Sequence, residues 1–251
     1  MFKIVAGLGE NTNIKEAALA IKDFEVELVN CDDALIKAIN NPNVDGVIRG
    51  SLSASNLIKS LKKANPNRPI NRGTYIHSDD YDFLILPVGI DEGQSISDKR
   101  ILIKQAFEFI LKLGKIPKIA ILSSGRCNDY NRNPNVDLSL KESEDLEKII
   151  NEDLSSDVKF NEIDYTVKNY YILIEQAIND KNNIIIAPDG IIGNYIFRIL
   201  VLLCKWPSYG AVTLGIDEIY IDTSRNQSKE GYIRSLNLAY NLAKMKKNRK
   251  L

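Results

Sequence analysis

Short apolar runs alternate with longer segments of amphipathic spacing along most of the chain. That alternation predicts βαβ units and a mostly parallel sheet. The runs place strands at 3–7, 25–29, 46–49, 83–88, 118–122, 162–165, 183–187 and 209–214, with a further short strand through 218–221. Helical periodicity fills the gaps at 14–21, 34–39, 55–64, 101–113, 140–150, 170–178, 194–205 and 229–246. The polar stretch Glu10 to Asn13 offers caps to the first helix, and Pro66-Asn67-Arg68-Pro69 with Arg72-Gly73 reads as a loop. The most apolar run, 195–204, contains Arg198 and is too short for a bilayer, which needs about 20 residues. It reads as a buried helix.

Composition narrows the function classes. Lys and Arg number 33 and Asp and Glu number 33, so no global basic surface exists for duplex nucleic acid. The start, Met1 to Ala6, reads as a strand rather than a signal peptide, and no membrane association is expected. Cys31, Cys127 and Cys204 are far apart and lack a C-x-x-C pair, which fits a reducing cytoplasm. With His77 as the single histidine, no metal site is expected. The basic tail from Lys244 to Lys250 reads as a solvated helix end favoured by the helix dipole.

Candidate chemistry sits where predicted strands end, the place where open α/β sheets bind ligands. Ser123-Ser124-Gly125-Arg126 offers hydroxyls, a permissive glycine and a guanidinium, a set suited to a phosphate-like anion; the alternative is an ordinary turn. Pro188-Asp189-Gly190-Ile191-Ile192-Gly193-Asn194 opens a helix, with Gly193 and Asn194 placed for a ligand. There Asp189 either orients a donor or caps the turn. Thr223-Ser224-Arg225-Asn226-Gln227-Ser228 joins a strand to the last helix, and Arg225 can stabilise developing charge. The stretch 44–55, with Arg49, Gly50 and Ser51, reads either as a small-residue wall beside a ligand or as a βα connection capped by Ser53 or Ser55. Gly7-Leu8-Gly9 has Thr12 where a dinucleotide fingerprint needs glycine. His77 in its polar loop, and Cys127 without a nearby histidine, are discounted as catalytic groups.

The order of these segments resembles the phosphate acetyl/butyryltransferase superfamily. The resemblance rests on Asp45-Gly46 through Gly50, Ser123-Ser124-Gly125, Pro188-Asp189 through Gly193-Asn194, and Asp222-Thr223-Ser224-Arg225. Within it, the chain is similar to a shorter branch, the methanogenesis marker protein 4 or methyltransferase mtx subunit X family of methanogenic archaea. Gly125-Arg126, Asp129, Arg132 and Val136-Asp137 carry that likeness, with Val88-Gly89-Ile90-Asp91-Glu92-Gly93 and Gly215-Ile216-Asp217-Glu218. The resemblance implies a two-lobed α/β/α fold of the isocitrate/isopropylmalate dehydrogenase-like type, with residues 1–72 plus 222–251 as one lobe, 73–221 as the other, and a ligand cleft between them. It also implies a homodimer formed through the middle lobe. Ser224 and Arg225 inherit catalytic roles from it, whereas Gly231 and Asn226 stand where relatives have an aspartate base and a glycine.

The leading expectation is a small-molecule transferase of methanogen metabolism. Ser123, Ser124, Gly125, Arg126, Asp189, Gly193, Asn194, Arg49 and Ser51 would bind a phosphate or an acyl- or methyl-group substrate. A methyltransferase-related subunit is one alternative, although no S-adenosylmethionine loop, cobalamin motif or other cofactor signature is present in the sequence. A ligand-binding or regulatory protein that kept the fold without catalysis is the other, and Gly231 favours it.

Overall fold

The computed structural model describes residues 1–248 except 54 and 79, and leaves the Ser55 side chain aside. Arg249 and Lys250 of the basic tail, and Ser55 as a cap, lie outside the described residues. The chain divides into two compact units, Met1–Ile70 with Pro207–Leu251, and Asn71–Trp206.

The first unit holds β1 (Lys3–Gly7), α1 (Asn13–Ala20), β2 (Glu25–Val29), α2 (Asp32–Ile39), β3 (Gly46–Ile48) and α3 (Ser55–Ala64). The second holds β4 (Asn71–His77), β5 (Asp82–Leu86), α4 (Ile96–Lys112), β6 (Lys118–Leu122), α5 (Pro134–Ser156), β7 (Thr166–Tyr171), α6 (Ile174–Asn179), β8 (Ile184–Ile186) and α7 (Gly190–Phe197), which continues as a π-helical segment over Arg198–Leu203. The chain then returns to the first unit with β9 (Ser208–Leu214), β10 (Tyr220–Asp222) and α8 (Lys229–Asn248).

Strands of the first unit run in the order β2-β1-β3-β10-β9, and those of the second in the order β4-β5-β8-β6-β7. Within each, all neighbours pair in parallel except one antiparallel pair, β10 with β9 and β4 with β5. The structure is therefore mixed α/β with mostly parallel pairing, as the alternating pattern predicts. Central strands β3 and β8 are buried throughout, β3 between α2 and α8 and β8 beneath α4. Edge strand β2 instead carries Glu25 and Glu27, which flank the Lys3 ammonium at 3.4 and 2.7 Å. Val5, Leu35, Val47, Leu57 and Tyr220 form one core layer of the first unit. On the other face α8 packs on α1 and β3.

Register lines up the chemistry. Ala6 pairs with Ile48, and Ile48 with Ile221, so the carboxyl ends of β1, β3 and β10 share one edge. Ile186 pairs with both Leu86 and Ile121, which does the same for β5, β8 and β6.

Several boundaries differ from expectation, each for a local reason. Helix α4 begins at Ile96, ahead of its apolar stripe, because Ser95 and Asp98 close a capping box with reciprocal 3.1 Å bonds. Helix α5 begins at Pro134 because the Asn133 side chain accepts the Asn135 N–H at 2.8 Å and proline fits the first turn. Strand β4 occupies a stretch read in part as loop; it includes Asn71, Arg72 and Gly73 although they lack a strand-like composition. Strand β7 lies four residues beyond the expected start because it is an edge strand with polar Lys168 and Asn169, which weakens its apolar signal. The apolar run 170–174 consequently ends β7 at Tyr171 before it opens α6 at Ile174, so the helix starts four residues later than expected.

One expectation is overturned. The segment expected from Asn194 to Lys205 is helical as far as Leu203 but is not buried: Tyr195 is 61% exposed and Leu203 73%, and Ile199 and Leu202 are exposed too. An apolar composition on all sides does not reveal which side has a partner.

Candidate functional site

In the first unit three loops leave neighbouring strand ends and are stitched together. Gly50 has φ +62°, and a side chain there would overlap the Gly7 carbonyl, so only glycine allows the contact. The Ser51 N–H donates to the Gly7 carbonyl at 2.9 Å, and the Ser51 hydroxyl accepts the Gly9 N–H at 2.8 Å. Thr223 closes the set by donating to the Gly50 carbonyl at 2.8 Å. Arg49 donates from Nε to the Leu52 carbonyl at 2.9 Å, from one terminal nitrogen to Asp222 at 2.8 Å, and from the other to the Ser53 carbonyl at 2.9 Å. Its fork thus fixes the 49–53 turn, and Asp222 balances its charge.

The Ser224-Arg225 segment is held by its carbonyls. The Tyr232 hydroxyl on α8 shares its single proton between the Ser224 and Arg225 carbonyls, 3.1 and 2.9 Å away. The Asn11 amide donates to the Arg225 and Gln227 carbonyls, both at 3.0 Å, and Asn13 adds a bond to Gln227. Burial pushes the Tyr232 hydroxyl up to about 12, which keeps it a neutral donor. The exposed Arg225 guanidinium forms no ion pair among the described residues. At Gly231, a side chain would overlap the Gln227 side chain, which lies across the first turn of α8.

In the second unit the turn after β6 is built differently. Ser123 is buried and donates to the Gly125 carbonyl at 3.0 Å, so its proton is used inside the turn. Ser124 is exposed; its N–H donates to the Ser139 hydroxyl at 3.0 Å, and Ser139 donates to the Ser124 oxygen at 3.2 Å. The Ser124 hydroxyl is therefore exposed and bonded to Ser139. The Arg126 N–H binds Asp129 at 2.8 Å, and the Arg132 guanidinium binds the same carboxylate at 2.6 Å. Those two bonds hold the Asp129 carboxyl below its ordinary value. The exposed Arg126 guanidinium itself is left without an ion pair among the described residues. Beside this turn Tyr171 has φ +57°, sparsely populated for an aromatic residue, and its hydroxyl is raised by burial and the nearby Glu144 charge.

Asp189, Gly193 and Asn194 form a third group. Asp189 caps α7 by accepting the Ile192 N–H at 2.8 Å. Side chains at Gly190 and Gly193 would overlap the Gly89 and Pro87 carbonyls, and Asn194 donates to the Val88 carbonyl at 3.0 Å. The buried Glu92 carboxylate ties that 87–93 loop to Arg72, accepting its Nε at 3.0 Å.

Sequence reasoning did not single out Tyr232, Asn11 or Lys99. Lys99 lies on the same stripe of α4 as Leu102, Ile103 and Ala106, and a lysine within a buried periodicity is a legible signal. His77 pairs with Asp82 at 2.8 Å, beside Lys115 and away from the strand ends described above. Among the described residues no group of His, Cys, Asp or Glu could hold a metal ion, and no helix is long and apolar enough to cross a membrane.

No family model matches the chain. It is 38% identical over 205 residues to the Methanosarcina barkeri protein named "Putative methyltransferase mtx subunit X", covering 80% of this chain and 72% of that one. Identity is 35% over 247 residues to an "Uncharacterized methyltransferase" of Methanocaldococcus jannaschii, covering 92% and 93%. A branched-chain phosphotransacylase from Enterococcus faecalis V583 superposes with a TM-score of 0.72 over 97% of this chain and 99% of that one. At 17% identity that likeness shows the fold alone.

Proposed function

The chain belongs to the methyltransferase mtx subunit X family of methanogens, and on that premise we propose that it is a cytoplasmic small-molecule transferase with a phosphate-like anion site. The observation that carries this reading is the exposed Ser124 hydroxyl and, two residues on, the exposed Arg126 guanidinium, which forms no ion pair among the described residues, on the turn after β6. A hydroxyl and an arginine fork at the carboxyl end of a parallel strand suit an acyl phosphate or related anion. Ser224 and Arg225 are proposed to act on the reacting centre, Arg225 by stabilising developing charge.

A thermal-shift series tests this reading with inorganic phosphate, acetyl phosphate, coenzyme A and S-adenosylmethionine. A ligand at 100 times its Kd adds about 2.7 kcal/mol to the native state. The expected result is stabilisation by phosphate or acetyl phosphate that disappears in Arg126→Ala. Stabilisation by S-adenosylmethionine alone would replace the acyl-transfer reading with a methyl-transfer one.

A second reading, a ligand-binding component without turnover, is favoured by Gly231. No carboxylate occupies that position, and Gln227 fills the space above it. Phosphate binding without any turnover of acetyl phosphate, with or without coenzyme A, would select it. Self-association is proposed as well, through the exposed apolar face of Ile191, Tyr195, Ile199 and Leu203. Light scattering should give a dimer that Tyr195→Glu converts to a monomer; a monomeric wild type would refute it.

A further inference from the structure

The second unit contains a small cavity of about 10 Å³, bordered by Lys99 of α4, Ser139 and Glu142 of α5, Leu122 at the end of β6, and Pro188 beyond β8. That volume holds about one water-sized oxygen. The Lys99 side chain is only 7% exposed, and its ammonium meets Glu142 at 3.2 Å. An ammonium has three donors, and burying one costs several kcal/mol unless they are satisfied. Glu142 accepts one bond, and no other described residue takes the remaining donors. A lysine held this way needs an acceptor oxygen in the cavity.

The location argues for a ligand's oxygen. The cavity lies beyond the carboxyl ends of adjacent parallel strands β6 and β8, where open α/β sheets take ligands. Its wall includes Ser139, which is hydrogen-bonded to the exposed Ser124. We propose that Lys99 is a ligand-binding residue whose ammonium receives one terminal phosphate oxygen of the substrate, with Glu142 setting its position and moderating its charge. This assignment rests on the anion-site reading above and adds a residue to it.

Inorganic phosphate titrated calorimetrically against the full chain tests the assignment, with circular dichroism and thermal midpoints as the folding control. Lys99→Met should weaken phosphate binding at least tenfold. Glu142→Gln should tighten it or leave it unchanged, because a nearby carboxylate repels the anion. A purely structural ion pair around a trapped water predicts otherwise: both variants then lower the thermal midpoint and affect phosphate alike. If Lys99→Met does not fold, the neutral Lys99→Met/Glu142→Gln pair replaces it and should show the same loss. Wild-type affinity in the lysine variant, together with loss in Arg126→Ala, overturns the Lys99 assignment and leaves the anion site standing. No phosphate binding by the wild-type chain overturns both.

Discussion

The loops of the first unit and the turn after β6 in the second use the same residue types for different ends. Arg49 and Arg126 each follow a parallel strand and sit in a Gly/Ser setting. Arg49 spends its donors on Asp222 and two carbonyls, whereas Arg126 keeps its guanidinium outside the local ion pair between Asp129 and Arg132. Ser51 and Ser124 divide likewise: one is buried as an acceptor between loops, and the other is exposed at the surface of its turn. A polar residue at a strand end is available to a ligand only if the fold has not already used it.

The sharpest way to break this comparison is at the arginines. Arg49→Ala leaves Asp222 and the Leu52 and Ser53 carbonyls without their donor, and should cost about 2–4 kcal/mol. Arg126→Ala should change stability by less than about 0.5 kcal/mol while abolishing the stabilisation by phosphate. Urea unfolding of both variants, with a phosphate titration of the second, checks the pair; equal stability losses would erase the distinction.

A middle-sized effect is expected at Tyr232. Tyr232→Phe removes the donor to the Ser224 and Arg225 carbonyls and should cost about 1–2 kcal/mol at neutral pH. The sign of its pH dependence follows from the raised hydroxyl. The folded state binds that proton more tightly than the unfolded chain, so stability is retained below the ordinary value of 10.0 and falls as pH rises toward about 12. Urea midpoints from pH 9 to pH 12 should therefore decline less steeply in Tyr232→Phe than in the wild type, and identical slopes would show that another group controls alkaline unfolding.

The smallest contrast lies within one turn. Ser123→Ala loses a buried bond to Gly125 and should cost about 1 kcal/mol, whereas Ser124→Ala should be near neutral for stability yet weaken phosphate binding. Thermal midpoints and phosphate titration of the two variants read the difference.

Much of the fold was legible before any coordinates. Apolar runs marked the buried parallel strands β1, β5, β6 and β8 because a strand covered on both faces has no polar side to blur its signal. Edge strand β7 and the antiparallel β4 were obscure for the opposite reason: their polar positions are tolerated at an edge or by cross-strand partners that the sequence does not announce. The candidate site was legible as residue types at strand ends, but not as a division of labour. Gly193 and Asn194 illustrate this, since a glycine that admits a ligand and one that admits the Pro87 carbonyl look alike in sequence.

The sequence by itself determined the α/β class, the parallel pairing of most strands and the set of strand-end loops, because periodicity and turn chemistry are local properties. Tertiary structure alone decided that Arg49 is committed and Arg225 is not, that the apolar run through Tyr195 faces outward, and that Lys99 reaches the end of β6. Each of those outcomes depends on a partner far along the chain, and no local pattern records which distant group will satisfy a charge or cover an apolar face.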